Sequence, residues 1–136
     1  MSAPNLFARR VFRFAGWYGI LVLAPQYFLE REIARMGQPP VAHPEFYYGF
    51  VGVALAWQVA FLIIASEPAR YRPLMLPAVL EKLSFGIAAI ILVALGRTAA
   101  MVIPFAAIDL TLGGLFAAAW WRLRGEANTI VPDNHP

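Results

Sequence analysis

Cysteine is absent from the 136 residues, and with it go disulfides, thiol redox chemistry and thiolate metal sites. Charge is scarce: Asp, Glu, Lys and Arg make up 14% of the chain against 60% hydrophobic residues, with a mean hydropathy of +0.62. A water-soluble domain of this size has no interior large enough to hide so much apolar surface. The two histidines, His43 beside Glu45 and His135 in the C-terminal tail, form no pair for haem or zinc. There is no glycine-rich phosphate loop, no G-x-S-x-G and no H-E-x-x-H, so nucleotide binding, serine hydrolysis and zinc catalysis lack their usual groups. No cofactor is expected.

The chain does have four long apolar runs, roughly 12–29, 46–65, 75–95 and 99–121, each close to the ~20 residues that cross a bilayer core. The fold class expected is all-α, a single antiparallel four-helix transmembrane bundle over residues 1–136. Arg9, Arg10 and Arg13 precede the first run as they would precede a signal sequence. The run is longer than a signal core and is not closed by a small-x-small cleavage pattern, so it reads as a retained helix. Pro25 falls in its last turn and predicts a slight kink, and Glu30-Arg31-Glu32 marks its exit into water. From Ile33 to Glu45 three prolines and a glycine predict an irregular loop, able to cap the bundle. Pro44-Glu45 suits the start of the second helix. Pro77 places the start of the third between Met75 and Ala78, Gly96-Arg97-Thr98 predicts a tight turn, and Pro104 predicts an early kink in the fourth. Residues 125–136 read as a disordered tail.

Cations on alternate sides of the four runs are unequal. One side has Arg9, Arg10, Arg13, Arg70, Arg72, Lys82, Arg122 and Arg124, and the other has Arg31, Arg35 and Arg97. This predicts both termini in the cytoplasm and a multi-pass protein of the bacterial inner membrane. Flanking arginines also account for the net charge of +3 and the pI near 9.7, so nucleic acid is not an expected partner. Aromatic pairs near the run ends fit the interfacial preference of such rings.

Polar residues within the runs locate any site. A carboxylate at mid-bilayer costs at least ~2.5–3.5 kcal/mol unless paired or wetted, so Asp109 should face other helices. Its helical face carries Ala106, Gly113 and Ala117, small residues that admit a close neighbour. Asp109 is either a ligand anchor or proton acceptor, or a hydrogen-bonded tie between helices. Lys82 is its candidate partner on the antiparallel third helix, on a face continuing through Gly86 and Ala89. The alternative for Lys82 is to snorkel to the headgroups. Glu81 either joins the site or caps its helix and meets Arg70 or Arg72. Gln58, on a face with Tyr47, Val51, Ala54 and Phe61, bridges helices or binds a ligand, and Tyr18 and Gln26 offer further donors. Together Asp109, Gln58, Lys82, Glu81 and Tyr18 are the candidate ligand-binding residues, and no catalytic or metal-binding residue is assigned.

Pro44-Glu45-Phe46 through Trp57-Gln58, with Glu81-Lys82 opening the third run, resembles bacterial four-span membrane families such as DoxX-like proteins. The same residues are similar to those of the EXPERA superfamily, four-span sterol isomerases and sterol-binding receptors. The resemblance covers chiefly the second and third helices and implies the four-helix fold. Ala54 stands where EXPERA proteins generally carry an acidic residue one turn before the glutamine, so no catalytic residue is carried across.

The function these observations favour is a small non-enzymatic membrane protein. It would bind a membrane lipid or other lipophilic small molecule in the bundle, or serve as an accessory subunit of a membrane-protein complex or homo-oligomer. The rival classes are a lipid-directed enzyme of isomerase type and a small ion or proton transporter. Because the chain lacks cysteine, single-cysteine labelling reads its topology directly. In intact cells, Ala69→Cys should be protected from a membrane-impermeant thiol reagent and Thr98→Cys should be labelled; the reverse pattern would invert the orientation.

Overall fold

In a computed structural model of the chain, residues 1–35 and 42–127 are described, and among them every regular element is helical. The elements are α1 (Ala3–Leu23), α2 (Gln26–Arg35), α3 (Pro44–Ser66), α4 (Met75–Ala94) and α5 (Ile103–Ala127), with short 3-10 turns at Arg72–Leu74 and Ala100–Val102. The segments Pro44–Ser66, Arg72–Ala94 and Ala100–Gly125 are long and apolar enough to cross a membrane. Only 22–33% of their most apolar stretches is buried within the chain, so most of each apolar surface faces outward. Leu80, Leu95, Val53 and Phe46 are more than three-fifths exposed, far beyond what a soluble monomer presents in contiguous patches.

Local chemistry sets the ends. Ser2 caps α1, its hydroxyl accepting from the Asn5 amide at 3.4 Å, with Pro4 in the first turn. Pro44 and Glu45 open α3 as the sequence predicts. Gly96 ends the α4–α5 hairpin at φ +67°, a left-handed conformation that glycine adopts without a Cβ penalty, while Arg97 N–H donates back to the Leu92 carbonyl at 2.8 Å.

Three expectations are corrected. The first run is not one helix through residue 29, because α1 ends at Leu23 and α2 begins afresh at Gln26, so Pro25 breaks the helix where a slight kink was predicted. Glu30-Arg31-Glu32 accordingly lies inside α2, which continues to Arg35. Pro104 does not kink the fourth long helix, since α5 starts at Ile103 and proline in a first turn displaces no hydrogen bond. Gly125–Ala127 are helical, not tail. The capping loop expected from Ile33 to Glu45 is helical at both ends, in α2 through Arg35 and in α3 from Pro44; its residues 36–41, like the tail beyond 127, lie outside the described residues. The other boundaries agree closely: α4 begins at Met75 despite Pro77, which sits in its first turn.

The helices are arranged in the order α3, α1, α5, α4. α1 packs along α3 and α5, α4 packs along α5, and α3 and α4 barely touch. α1 presents Ala8, Phe12, Ala15, Gly16 and Gly19 inward, and α4 presents Met75, Ala78, Lys82, Gly86 and Ala89. These are mostly small residues, as expected where backbones rather than bulky side chains bring helices together. At Gly86 a Cβ would lie 2.6 Å from Leu110 Cγ, so the α4–α5 approach requires glycine there. Toward one end, Phe12, Phe61 and Phe116 form a buried aromatic trio, with Phe12 stacked on Phe116 at 4.0 Å and Phe61 edge-on to Phe116 at 5.0 Å. Arginines fasten that end: Arg9 Nη2 donates to the Ser66 carbonyl at 2.7 Å, Arg72 Nε donates to the Trp120 carbonyl at 3.2 Å, and Arg122 lies over the Phe7 ring at 4.4 Å. At the opposite end Tyr47 Oη donates to the Gln26 carbonyl at 2.8 Å and Tyr48 Oη donates to Glu30, tying α2 to α3.

Phe116→Ala should lower the unfolding free energy in micelles by about 3–5 kcal/mol, because it empties a fully buried aromatic position. Leu95→Ala, on a 64% exposed apolar surface, should stay within about 0.5 kcal/mol of the parent.

Candidate functional site

Two turns above the arginine-rich end, the inward polar residues of four helices meet. Gln58 lies eight residues from the end of α3 and Lys82 seven from the start of α4, placing both roughly 10–12 Å along their helices. The aromatic trio lies between them and the arginines as a floor, and Lys82 Nζ is 5.3 Å from the Phe61 ring centroid.

Lys82 is the chain's only lysine; every other cationic side chain is arginine. Its Nζ lies 3.2 Å from Asp109 Oδ1 on α5 and 3.3 Å from Glu81 Oε2. The Lys82 side chain is 6% exposed, that of Asp109 15% and that of Glu81 18%. The compact ammonium fits between two carboxylates with donors to spare, a geometry that a planar guanidinium does not match. Lys82 therefore does not snorkel, and Glu81 turns to it and not to Arg70 or Arg72. Arg70 instead approaches Glu67, and Arg72 stacks on Trp120. With Lys82 in the interior, the cation imbalance between the two ends rests on arginine alone. Asp109 shares its buried face with Ala106 and Gly113 as expected, but Ala117 is exposed.

Gln58 is 1% exposed, and its Nε2 donates to the Ala54 carbonyl one turn back at 2.9 Å. Its Oε1 sits in the notch left by Gly19, where a Cβ would come within 2.0 Å, and it accepts no hydrogen bond among the described residues. A buried amide oxygen without a partner costs roughly 1–3 kcal/mol, and this one, packed against Gly19, is closed off from the open space nearby.

All five candidate residues line a single cavity of about 260 Å³: Tyr18 from α1, Gln58 from α3, Glu81 and Lys82 from α4, and Asp109 from α5. Val22, Leu23, Phe50, Phe85, Val102 and Phe105 complete walls that are largely apolar. Gln26 also lines the cavity, and its Nε2 donates to the Val22 carbonyl at 3.4 Å beside the Pro25 break. Among the described residues no cluster of His, Asp and Glu is arranged to hold a metal ion. His43 meets Glu45 at 3.2 Å on the exposed start of α3, away from the cavity.

Sequence reasoning did not single out Gly19 as the seat of Gln58, or Phe50 and Phe85 as cavity walls. Ala15 and Gly19, four apart on α1, carried the signal for close approach. The two phenylalanines carried none, since an aromatic in an apolar run looks the same whether it faces lipid or a cavity.

No protein-family model, curated protein or solved structure matches this chain.

Lys82→Met should destabilise the bundle by about 3–5 kcal/mol by leaving two buried carboxylates uncompensated. Adding Glu81→Gln and Asp109→Asn to it should recover most of that loss, measured by unfolding in micelles. A triple variant no more stable than Lys82→Met would show that packing, not charge, set the cost.

Proposed function

We propose that the chain is a small, non-enzymatic integral protein of the bacterial inner membrane that binds a lipophilic small molecule inside its helical bundle. Four helices thread the bilayer in this reading. α1 joins the three long apolar helices through its outward Phe14, Trp17 and Leu21, and α2 lies at the far interface. The arginine-fastened end, with both termini, faces the cytoplasm. The resemblance to DoxX-like and EXPERA proteins belongs to this proposal through the four-helix arrangement alone.

The observation that carries the reading is the convergence of Tyr18, Gln58, Glu81, Lys82 and Asp109 on one apolar-walled cavity. Helix ties alone would account for Lys82 and Asp109. They do not account for the open volume beside them. The rival transporter reading is disfavoured by Phe12, Phe61 and Phe116, which fill the bundle between the cavity and the arginine-rich end and leave no polar route through. The isomerase reading is disfavoured because both carboxylates are engaged by the same ammonium.

Native mass spectrometry of protein extracted gently from membranes tests this. The parent should carry a bound lipid, and Asp109→Asn and Gln58→Leu should carry it at lower occupancy while retaining helical circular dichroism. A parent that is always released without any small molecule, or only together with other subunits, would replace ligand binding with the accessory-subunit reading.

A further inference from the structure

We propose that the outward face of α1 at the arginine-rich end binds the phosphate of an anionic phospholipid through Arg10 and Arg13; this rests on α1 crossing the bilayer, as read above, and not on the cavity. The other arginines at this end are already engaged. Arg9, Arg70, Arg72, Arg122 and Arg124 each meet a carbonyl, a carboxylate or an aromatic ring within the chain. Arg10 and Arg13 are exposed and, among the described residues, have no such partner.

The depth of Arg13 calls for an anion. It follows Phe12, whose ring stacks on Phe116 at 4.0 Å, and Phe116 lies roughly 9 Å along α5 from Arg122 toward the bundle centre. Phe12 faces inward, so Arg13 projects from the opposite side of α1, beside Phe14, Trp17 and Leu21, which are 62%, 56% and 73% exposed. A guanidinium in such surroundings is unfavourable in hydrocarbon unless its stem runs along the helix to the head groups. Helical side chains lean toward the helix N-terminus, which here is the arginine-rich end, so that stem passes Arg10 one turn on. Arg122, resting on the Phe7 ring one turn before Arg10, brings a further cation to the same part of α1. Guanidinium groups gathered in this way repel each other unless an anion lies between them, and their forks match phosphate oxygens two at a time. A zwitterionic phospholipid carries its own ammonium near the phosphate, which these cations oppose; a lipid whose head is charged only at phosphate meets no such opposition. From Arg13 to Leu21 the outward face runs roughly 12 Å, close to the ~15 Å of one leaflet's hydrocarbon, so acyl chains lie against Phe14, Trp17 and Leu21.

The test is native mass spectrometry of the full chain in neutral-detergent micelles, titrated with phosphatidylglycerol or with phosphatidylcholine. The parent should retain phosphatidylglycerol saturably and in preference to phosphatidylcholine. Arg10→Gln with Arg13→Gln should weaken phosphatidylglycerol about thirty-fold, the effect of two arginines beside an anionic lipid, with helical circular dichroism unchanged because both positions are exposed. Arg10→Lys with Arg13→Lys, which keeps the charge and loses the fork, should fall between the two. Arg31→Gln with Arg97→Gln removes the same charge elsewhere and should keep the preference. Equal retention of both lipids by the parent, or an equal loss in the Arg31 and Arg97 variant, would overturn the site. Displacement of phosphatidylglycerol by millimolar inorganic phosphate would overturn the lipid assignment in favour of a free anion. Release of the chain from cell membranes by alkaline carbonate would instead remove the bilayer-spanning reading beneath the proposal, an outcome seen without any added lipid.

Discussion

The pairing of Asp109 and Glu81 with Lys82 is the constraint around which the bundle is organised. Three ionisable groups in a region meant for hydrocarbon are tolerable only when mutual attraction and local polarity offset the loss of water. That requirement fixes which faces of α4 and α5 turn inward, and therefore which are left outward. It also fixes their separation. Gly86 and Gly113 let the two backbones come near enough for one lysine to reach across, and Leu110 fills the space that a side chain at residue 86 would occupy.

From this the remaining architecture follows in sequence. α1 is wedged between α3 and α5 by its alanine and glycine stripe, which brings Tyr18 alongside the charged group and seats Gln58 against Gly19. The aromatic trio then fills the space nearer the arginines. The result is a pocket closed on one side by rings, bounded by four helices, and left unsealed along one seam. Its shape is a product of where small residues stop and large ones begin.

Much of this was legible in the amino-acid pattern. The apolar runs marked α3 and α4 to within two residues at each end and α5 to within six, because long apolar helices announce themselves by length and composition alone. The pairing of Lys82 with Asp109 was also legible, since a tight Gly96 turn forces α4 and α5 together and periodicity sets which positions share a face. The α1–α2 break was not. Whether proline kinks or ends a helix depends on what the following residues can bond to, and here Tyr47 and Tyr48, 21 and 18 positions from their partners, hold α2 in its own place. The sharing of one cavity by residues from four helices was likewise hidden. It depends on the order in which helices are arranged around the bundle, and hydropathy carries no information about that order.

The fastening of the bundle is lopsided. Arginine clasps join α1 to α3 and the 3-10 turn before α4 to α5 at one end, while at the other α3 and α4 share little more than the loose stacking of Phe50 on Phe85 at 6.2 Å. A body pinned in this way behaves like a clothes-peg. Thermal splaying is concentrated at the free jaws and falls toward zero at the spring, so the cavity opens by a small parting of two helices while the rest of the scaffold stays still.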